Sequence, residues 1–69
     1  MSKEEIIKNI DAINAELKKN EDLFAAYAEK GLLGNSDLLT LKMLSYNLTI
    51  ARNAWIEMLF RDYGILYIG

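Results

Sequence analysis

Residues 37–63 carry apolar side chains on more sides than a single helical neighbour could cover. With about 100° between successive residues of a helix, one arc contains Leu41, Leu44, Leu48, Ala51, Trp55, Met58 and Leu59. A second arc lies nearly opposite and contains Leu39, Met43, Tyr46, Ile50 and Ala54, and a third, near the C-terminal end, contains Ile56, Phe60 and Tyr63. A helix that is apolar on most sides is a buried helix. This segment therefore predicts a helix that packs both against its own chain and against another one.

A chain of 69 residues buries only a small core, and such chains usually gain stability from disulfides, a metal or association. The sequence contains no cysteine, which excludes disulfides and thiolate metal sites. It also contains no histidine, the commonest metal ligand and general base. We therefore predict no cofactor and no metal, and we expect association with a second copy.

The N-terminal half predicts one long helix over about residues 3–30. Ser2 and Glu5 have the spacing of a capping box, in which each residue bonds the backbone of the other. The apolar positions that follow step by four and three residues, the rhythm of a packed helix: Ile6, Ile10, Ile13, Leu17, Phe24 and Tyr27. Gly31 supplies a left-handed stop, and Lys30 suits the negative end of the helix.

Asn20 interrupts this rhythm, since it occupies the apolar slot between Leu17 and Phe24. Three interpretations follow. The helix continues through a solvated stretch; or it breaks, with Asn20 capping a new helix; or Asn20 is buried and pairs with its equivalent on a second chain.

The segment 31–36 predicts a short loop, because Gly34 and Asn35 are turn residues and Asn35 or Ser36 can cap the next helix. A loop this short returns the second helix, about 37–63, antiparallel to the first. Leu32 and Leu33 are expected to fold over this end. The predicted fold is a single all-α domain over 1–69, an antiparallel two-helix hairpin that dimerises into a four-helix bundle.

The C-terminal tail, residues 64–69, is uncharged and apolar. Gly64 permits the left-handed turn that ends the second helix, and the residue after such a turn often packs back on it. Ile65 is placed for that contact, and Leu66, Tyr67 and Ile68 follow. We expect the tail to dock on the hairpin of its own or a neighbouring copy, or in a groove of a target protein, and not to fray.

Nothing in the sequence has the pattern of a catalytic site, and we predict no enzyme. Ser45 has no histidine or cysteine to activate it. Glu57 and Arg61 have the i, i+4 spacing of a surface pair, and no two acids are expected to share a pocket. The glycines at 31 and 34 are explained by a helix stop and a turn.

The outline resembles the small aspartyl-phosphate phosphatases of sporulating bacteria, which are also antiparallel helix hairpins. That family carries a Ser-Gln-Glu-Leu-Asp motif early in its second helix, where this chain has Ser45, Tyr46, Asn47, Leu48 and Thr49. The serine and the leucine match. Both acids that carry the family's activity are absent, so no catalytic residue is transferred.

The net charge of −2 and the interleaving of lysines with acids argue against nucleic-acid binding, which requires a clustered basic face. The acidic, amphipathic start is unlike a secretion signal. A central arginine, Arg52, costs about 2.5–3.5 kcal/mol in a membrane span, so a span is not expected. We predict a cytoplasmic protein.

Arg52 is the one cation among the apolar arcs, and it either extends its head to water or pairs with an acid of a partner chain. The expected interface consists of Leu39, Met43, Tyr46, Ile50, Ile56, Phe60, Tyr63, Ile65, Leu66, Tyr67 and Ile68. The predicted function is a non-enzymatic protein–protein interaction module, a bacterial or phage regulator or inhibitor that binds itself and another protein. The alternatives are a phosphatase-like signalling regulator and a membrane-active or immunity-type helical peptide.

Overall fold

The computed structural model describes residues 1–31 and 36–68. It contains two α-helices, α1 (Lys3–Glu29) and α2 (Ser36–Tyr63), followed by a tail without regular structure. The start of α1 packs against the end of α2, so the helices are antiparallel and form a rod of 45 × 16 × 15 Å. This confirms the all-α hairpin. The expectations for Leu32, Leu33, Gly34 and Asn35 lie outside the described residues.

Ser2 and Gly31 bound α1 as the sequence predicts, but only half of the capping box forms, since the Glu5 carboxylate bonds the Ser2 hydroxyl and not its backbone N–H. The Glu5 backbone N–H donates to the Ser2 hydroxyl at 3.3 Å, and this hydroxyl donates to Glu5 Oε1 at 3.2 Å. The side chain of Ser2 thus satisfies one of the free N–H groups of the first turn. At the other end, Gly31 adopts a left-handed φ of 73° and its N–H donates to the Ala28 carbonyl at 3.1 Å.

The helix α1 runs without interruption through Asn20. Its side chain is half-buried, whereas Lys18 and Asp22 beside it are exposed and form an i, i+4 ion pair at 3.8 Å. The continuous helix is therefore the correct one of the first two interpretations. The pairing of Asn20 with a second copy stays a prediction.

The core lies at the end of the hairpin where the chain termini meet. Ile6, Ile10 and Leu59 are at most 1% exposed there. Six partly buried side chains pack around them: Ile7, Trp55, Ile56, Met58, Ile65 and Tyr67. Leu38, at the opposite end of α2, is also buried. The fully buried apolar core is thus concentrated at one end of the rod.

The face that α2 turns toward α1 differs from the predicted arc. Leu44, predicted to face α1, is 50% exposed, and Ala51 is exposed too. The half-buried positions include the polar residues Ser45, Thr49 and Arg52. At 100° per residue the contact face is rotated by roughly 50° from the predicted arc. The other five predicted contact residues are buried or half-buried, as expected: Leu41, Leu48, Trp55, Met58 and Leu59. The prediction was wrong for Leu44 and Ala51, because it counted only apolar side chains, whereas polar ones occupy the middle of the contact.

The tail docks on the hairpin of its own chain. Gly64 has a φ of 67°, and its N–H donates to the Phe60 carbonyl at 2.8 Å, which closes α2. Beyond this turn the exposure of the side chains alternates. Ile65 and Tyr67 pack on the core, whereas Leu66 is 67% and Ile68 88% exposed. This period of two is that of an extended chain with one face on a surface.

Candidate protein interaction surface

One side of α2 is apolar and uncovered along most of its length. We call this the outer face and define it by five large side chains that are 52–68% exposed: Leu39, Met43, Tyr46, Ile50 and Phe60. The first four are spaced by four, three and four residues, so they form one stripe along the helix. Phe60 lies ten residues further on, beyond the exposed side chains of Asn53 and Glu57 on the same side. The outer face is about 32 Å long at 1.5 Å per residue.

The outer face has the composition of the centre of a protein interface. No charged residue occurs between Met43 and Ala51. Aromatic side chains and methionine are enriched at interfaces, and charged residues are depleted from their centres. Tyr46, the most exposed of the five at 68%, combines a large apolar ring with a hydroxyl.

The exposed area of the whole chain supports the same conclusion. A compact monomer of 7.9 kDa is expected to expose about 4,400 Å². The hairpin exposes 5178 Å². The excess of roughly 800 Å² reflects the elongated shape of the rod, which leaves one side of α2 uncovered.

The remaining predicted interface residues lie elsewhere. Ile56 packs on the core of the hairpin, as do Ile65 and Tyr67. Tyr63 is 43% exposed, and its hydroxyl donates to the Met1 carbonyl, which ties the end of α2 to the start of the chain. Leu66 and Ile68 face outward from the tail.

Arg52 is held in part by side chains of its own chain. It is half-buried; its Nη1 donates to Asn14 Oδ1 at 3.3 Å and its Nη2 donates to Asn53 Oδ1 at 3.4 Å. Its Nε is buried without a hydrogen-bond partner among the residues that the structure describes. A buried, unsatisfied donor on a cation is destabilising. The arginine is thus partly held between the helices and does not simply extend its head to water. Its pairing with an acid of a partner chain stays a prediction.

A directed chain of hydrogen bonds continues from this arginine to the tail. Asn14 Nδ2 donates to the Tyr67 hydroxyl at 3.1 Å, and that hydroxyl donates to Asp11 Oδ1 at 2.7 Å. Arginine only donates and a carboxylate only accepts, so the two ends fix the direction of every bond between them. The chain connects α2, α1 and the tail. The sequence analysis missed Asp11 and Asn14, because nothing in the pattern of α1 relates them to residues more than 35 positions away.

This arrangement changes the acidity of the tail tyrosine. The hydrogen bond that Tyr67 donates to Asp11 raises the pKa of its phenol above 10.0, and loss of hydration raises it further. The bond from Asn14 opposes this change. The neutral phenol is therefore the form that holds the tail in place.

An open groove of about 420 Å³ lies between the two helices, beside the outer face. Leu17, Phe24 and Leu41 supply apolar walls, and Lys42 lies with its Nζ 5.8 Å from the centre of the Phe24 ring. The hydroxyl of Thr49, which also lines the groove, donates to the Ser45 carbonyl at 2.8 Å. Among the described residues that line it, no serine or threonine hydroxyl has a histidine beside it to act as a base.

Metal-binding clusters and membrane-spanning segments are both absent from the described residues. In residues 1–31 and 36–68, no three carboxylates gather into a group that could hold a metal ion. Neither described helix contains a segment long and apolar enough to cross a membrane.

Comparison of the chain with models of known protein families finds no match, and comparisons with curated proteins and with solved structures find none either. The helical hairpin and its uncovered apolar face therefore carry the functional argument by themselves.

Proposed function

We propose that this protein is a non-enzymatic protein–protein interaction module that works as a homodimer. In this dimer the outer faces of two copies pack together and form a four-helix bundle. The dimer acts as a regulator or inhibitor by occupying a surface of another protein. The observation that carries the proposal is the uncovered apolar stripe on α2.

The exposed area of the outer face is large enough for a specific protein–protein contact. Its five large side chains leave roughly 600 Å² exposed, if a fully exposed large side chain contributes about 200 Å². The small residues and backbone between them bring this toward the 800 Å² per partner of a standard interface. Contiguous apolar patches of this size mark interaction sites on soluble proteins.

The chemistry of the chain favours binding over catalysis. It contains neither histidine nor cysteine, and its one internal cation, Arg52, is bonded to Asn14 and Asn53. The groove beside the outer face has no pair of carboxylates for acid–base work. Regulation by occupying a surface requires none of these groups.

The direct test is the molar mass of the purified protein in solution. Light scattering or sedimentation at micromolar concentration is expected to give twice the chain mass. Ile50→Asp places a charge in the outer face and is expected to give a folded monomer. Leu44→Asp is the matched control, because Leu44 is also half-exposed but lies outside the outer face. A wild-type monomer, or equal effects of both substitutions, would refute the dimer.

A second experiment tests the regulatory role. The wild-type and Ile50→Asp proteins are used as baits in the native host, and the mass of each complex is measured. A target of the dimer is expected with the wild-type bait and absent with Ile50→Asp. If neither bait retains a specific protein, the regulatory role fails although the dimer stands.

A further inference from the structure

We infer that the two copies pack antiparallel, α2 against α2, about a two-fold axis that passes between Tyr46 and Ile50. In this arrangement Lys42 of each copy pairs with Glu57 of the other. The inference rests on the proposed function, which makes a second copy the occupant of the outer face. Beyond the dimer itself, the inference specifies the relative direction of the two α2 helices, their register, and the charged residues that select this register.

Symmetry leaves two ways to join the same face of two copies. A homodimer closes about a two-fold axis, and each contact of residue i with residue j then occurs twice. An axis parallel to α2 places every residue opposite its own equivalent. An axis perpendicular to α2 reverses the second helix and places the early part of one copy opposite the late part of the other.

One charge beside the outer face and one charge on it favour the perpendicular axis. Lys42 and Glu57 are both exposed and stand near opposite ends of the stripe. A parallel pair would hold each lysine level with the other lysine and each glutamate level with the other glutamate, so it would bring no lysine within reach of a glutamate. An antiparallel pair places each lysine near the glutamate of the second copy.

The positions along the helix support a specific register. With the axis at residue 48, halfway between Tyr46 and Ile50, Tyr46 lies level with Ile50 of the second copy. Leu39 lies level with the aliphatic part of Glu57 of the second copy, and Met43 lies level with Asn53 of the second copy. Lys42 and Glu57 are then offset along the helix by three residues, about 4.5 Å, which two long side chains can span. Leu39, Met43, Tyr46 and Ile50 are separated by four, three and four residues, the spacing of residues at the contact between two packed helices.

Among the described residues, neither Lys42 nor Glu57 is committed to an ion pair, but Lys42 Nζ lies 5.8 Å from the centre of the Phe24 ring on its own chain. Pairing with Glu57 of the second copy therefore requires the flexible lysine head to move away from this ring. Arg61, the i+4 neighbour expected to pair with Glu57, instead lies 3.3 Å from Asp62. Within one chain Lys42 and Glu57 are 15 residues apart on the same helix, about 22 Å. An interaction between them therefore requires a second copy.

Charge reversal tests the pairing. Lys42→Glu alone creates two repulsive contacts per dimer, and so does Glu57→Lys alone. Each is expected to raise the dimer dissociation constant about ten- to thirty-fold, since two weak attractions become repulsions. An equimolar mixture of the two variants restores opposite charges at both contacts. It is expected to form a heterodimer with a dissociation constant within about three-fold of the wild-type value.

A cross-linking experiment tests the direction independently, and the cysteine-free chain makes single-cysteine variants unambiguous. In the antiparallel dimer the two copies of position 50 are offset by about 6 Å along the helix, and the two copies of position 39 by about 27 Å. A short bis-maleimide is therefore expected to link Ile50→Cys and not Leu39→Cys. A parallel dimer would link both variants.

The results distinguish failure of the antiparallel register from failure of the dimer itself. If the protein is dimeric but the mixed charge variants stay weak, or Leu39→Cys cross-links, the antiparallel register is wrong and the proposed function stands. If the wild-type protein is monomeric under all conditions, the proposed dimer fails, and the register fails with it.

Discussion

Leu59→Ala is expected to remove a large part of the stability of the hairpin. Leu59 is 0% exposed and lies with Ile6 and Ile10 at the centre of the only buried cluster that the described residues form. Truncation of such a leucine costs about 3–4 kcal/mol, the lost transfer energy plus the cavity that remains. A chain of this length is expected to have a free energy of unfolding of roughly 3–10 kcal/mol. One substitution would therefore remove roughly a third or more of the stability of the chain.

The matched control is Leu44→Ala, which removes the same atoms from the same helix. Leu44 is 50% exposed, so its truncation is expected to cost no more than about 1 kcal/mol. Both free energies are measured by urea unfolding followed by circular dichroism. The protein concentration is held fixed, because dimerisation makes stability concentration-dependent. Equal costs would show that the centre of the contact face has been misplaced.

Three further predictions concern the tail and the polar chain. Deletion after Gly64 is expected to lower the melting temperature, because it uncovers the core beneath Ile65 and Tyr67; an unchanged temperature and molar mass would show that the tail contributes nothing. Arg52→Met is expected to leave the melting temperature unchanged or higher, because it removes a cation with an unsatisfied buried Nε; a loss as large as that of Arg52→Ala would contradict this. Since the folded pKa of Tyr67 is raised, its stabilising effect is complete below pH 10.0 and is lost as the pH rises through the folded pKa. Tyr67→Phe is therefore expected to have a smaller alkaline loss of stability than the wild type, measured by unfolding between pH 8 and 11.5.

The sequence by itself determined the secondary structure and its boundaries, because each was encoded by neighbouring residues. Ser2 and Glu5 start α1 through bonds within one turn. Gly31 and Gly64 end the helices because both positions require a positive φ, which glycine adopts without strain. The apolar excess of α2 also predicted the outer face, since four of its five residues formed one arc in the sequence. Local rules of this kind do not depend on the rest of the fold.

The tertiary structure alone decided how the two helices are rotated against each other and which polar groups lie between them. Ser45, Thr49 and Arg52 face α1 although their polarity predicted the opposite, because Asn14 bonds the arginine from across the hairpin. Asn14 also bonds the tail and so helps to set its position. Its apolar composition predicted docking, but the bonds of Tyr67 to Asp11 and Asn14 place it on its own hairpin. Such contacts join residues 38 to 56 positions apart, and their energies exist only after the backbone has brought the groups within about 3 Å of each other.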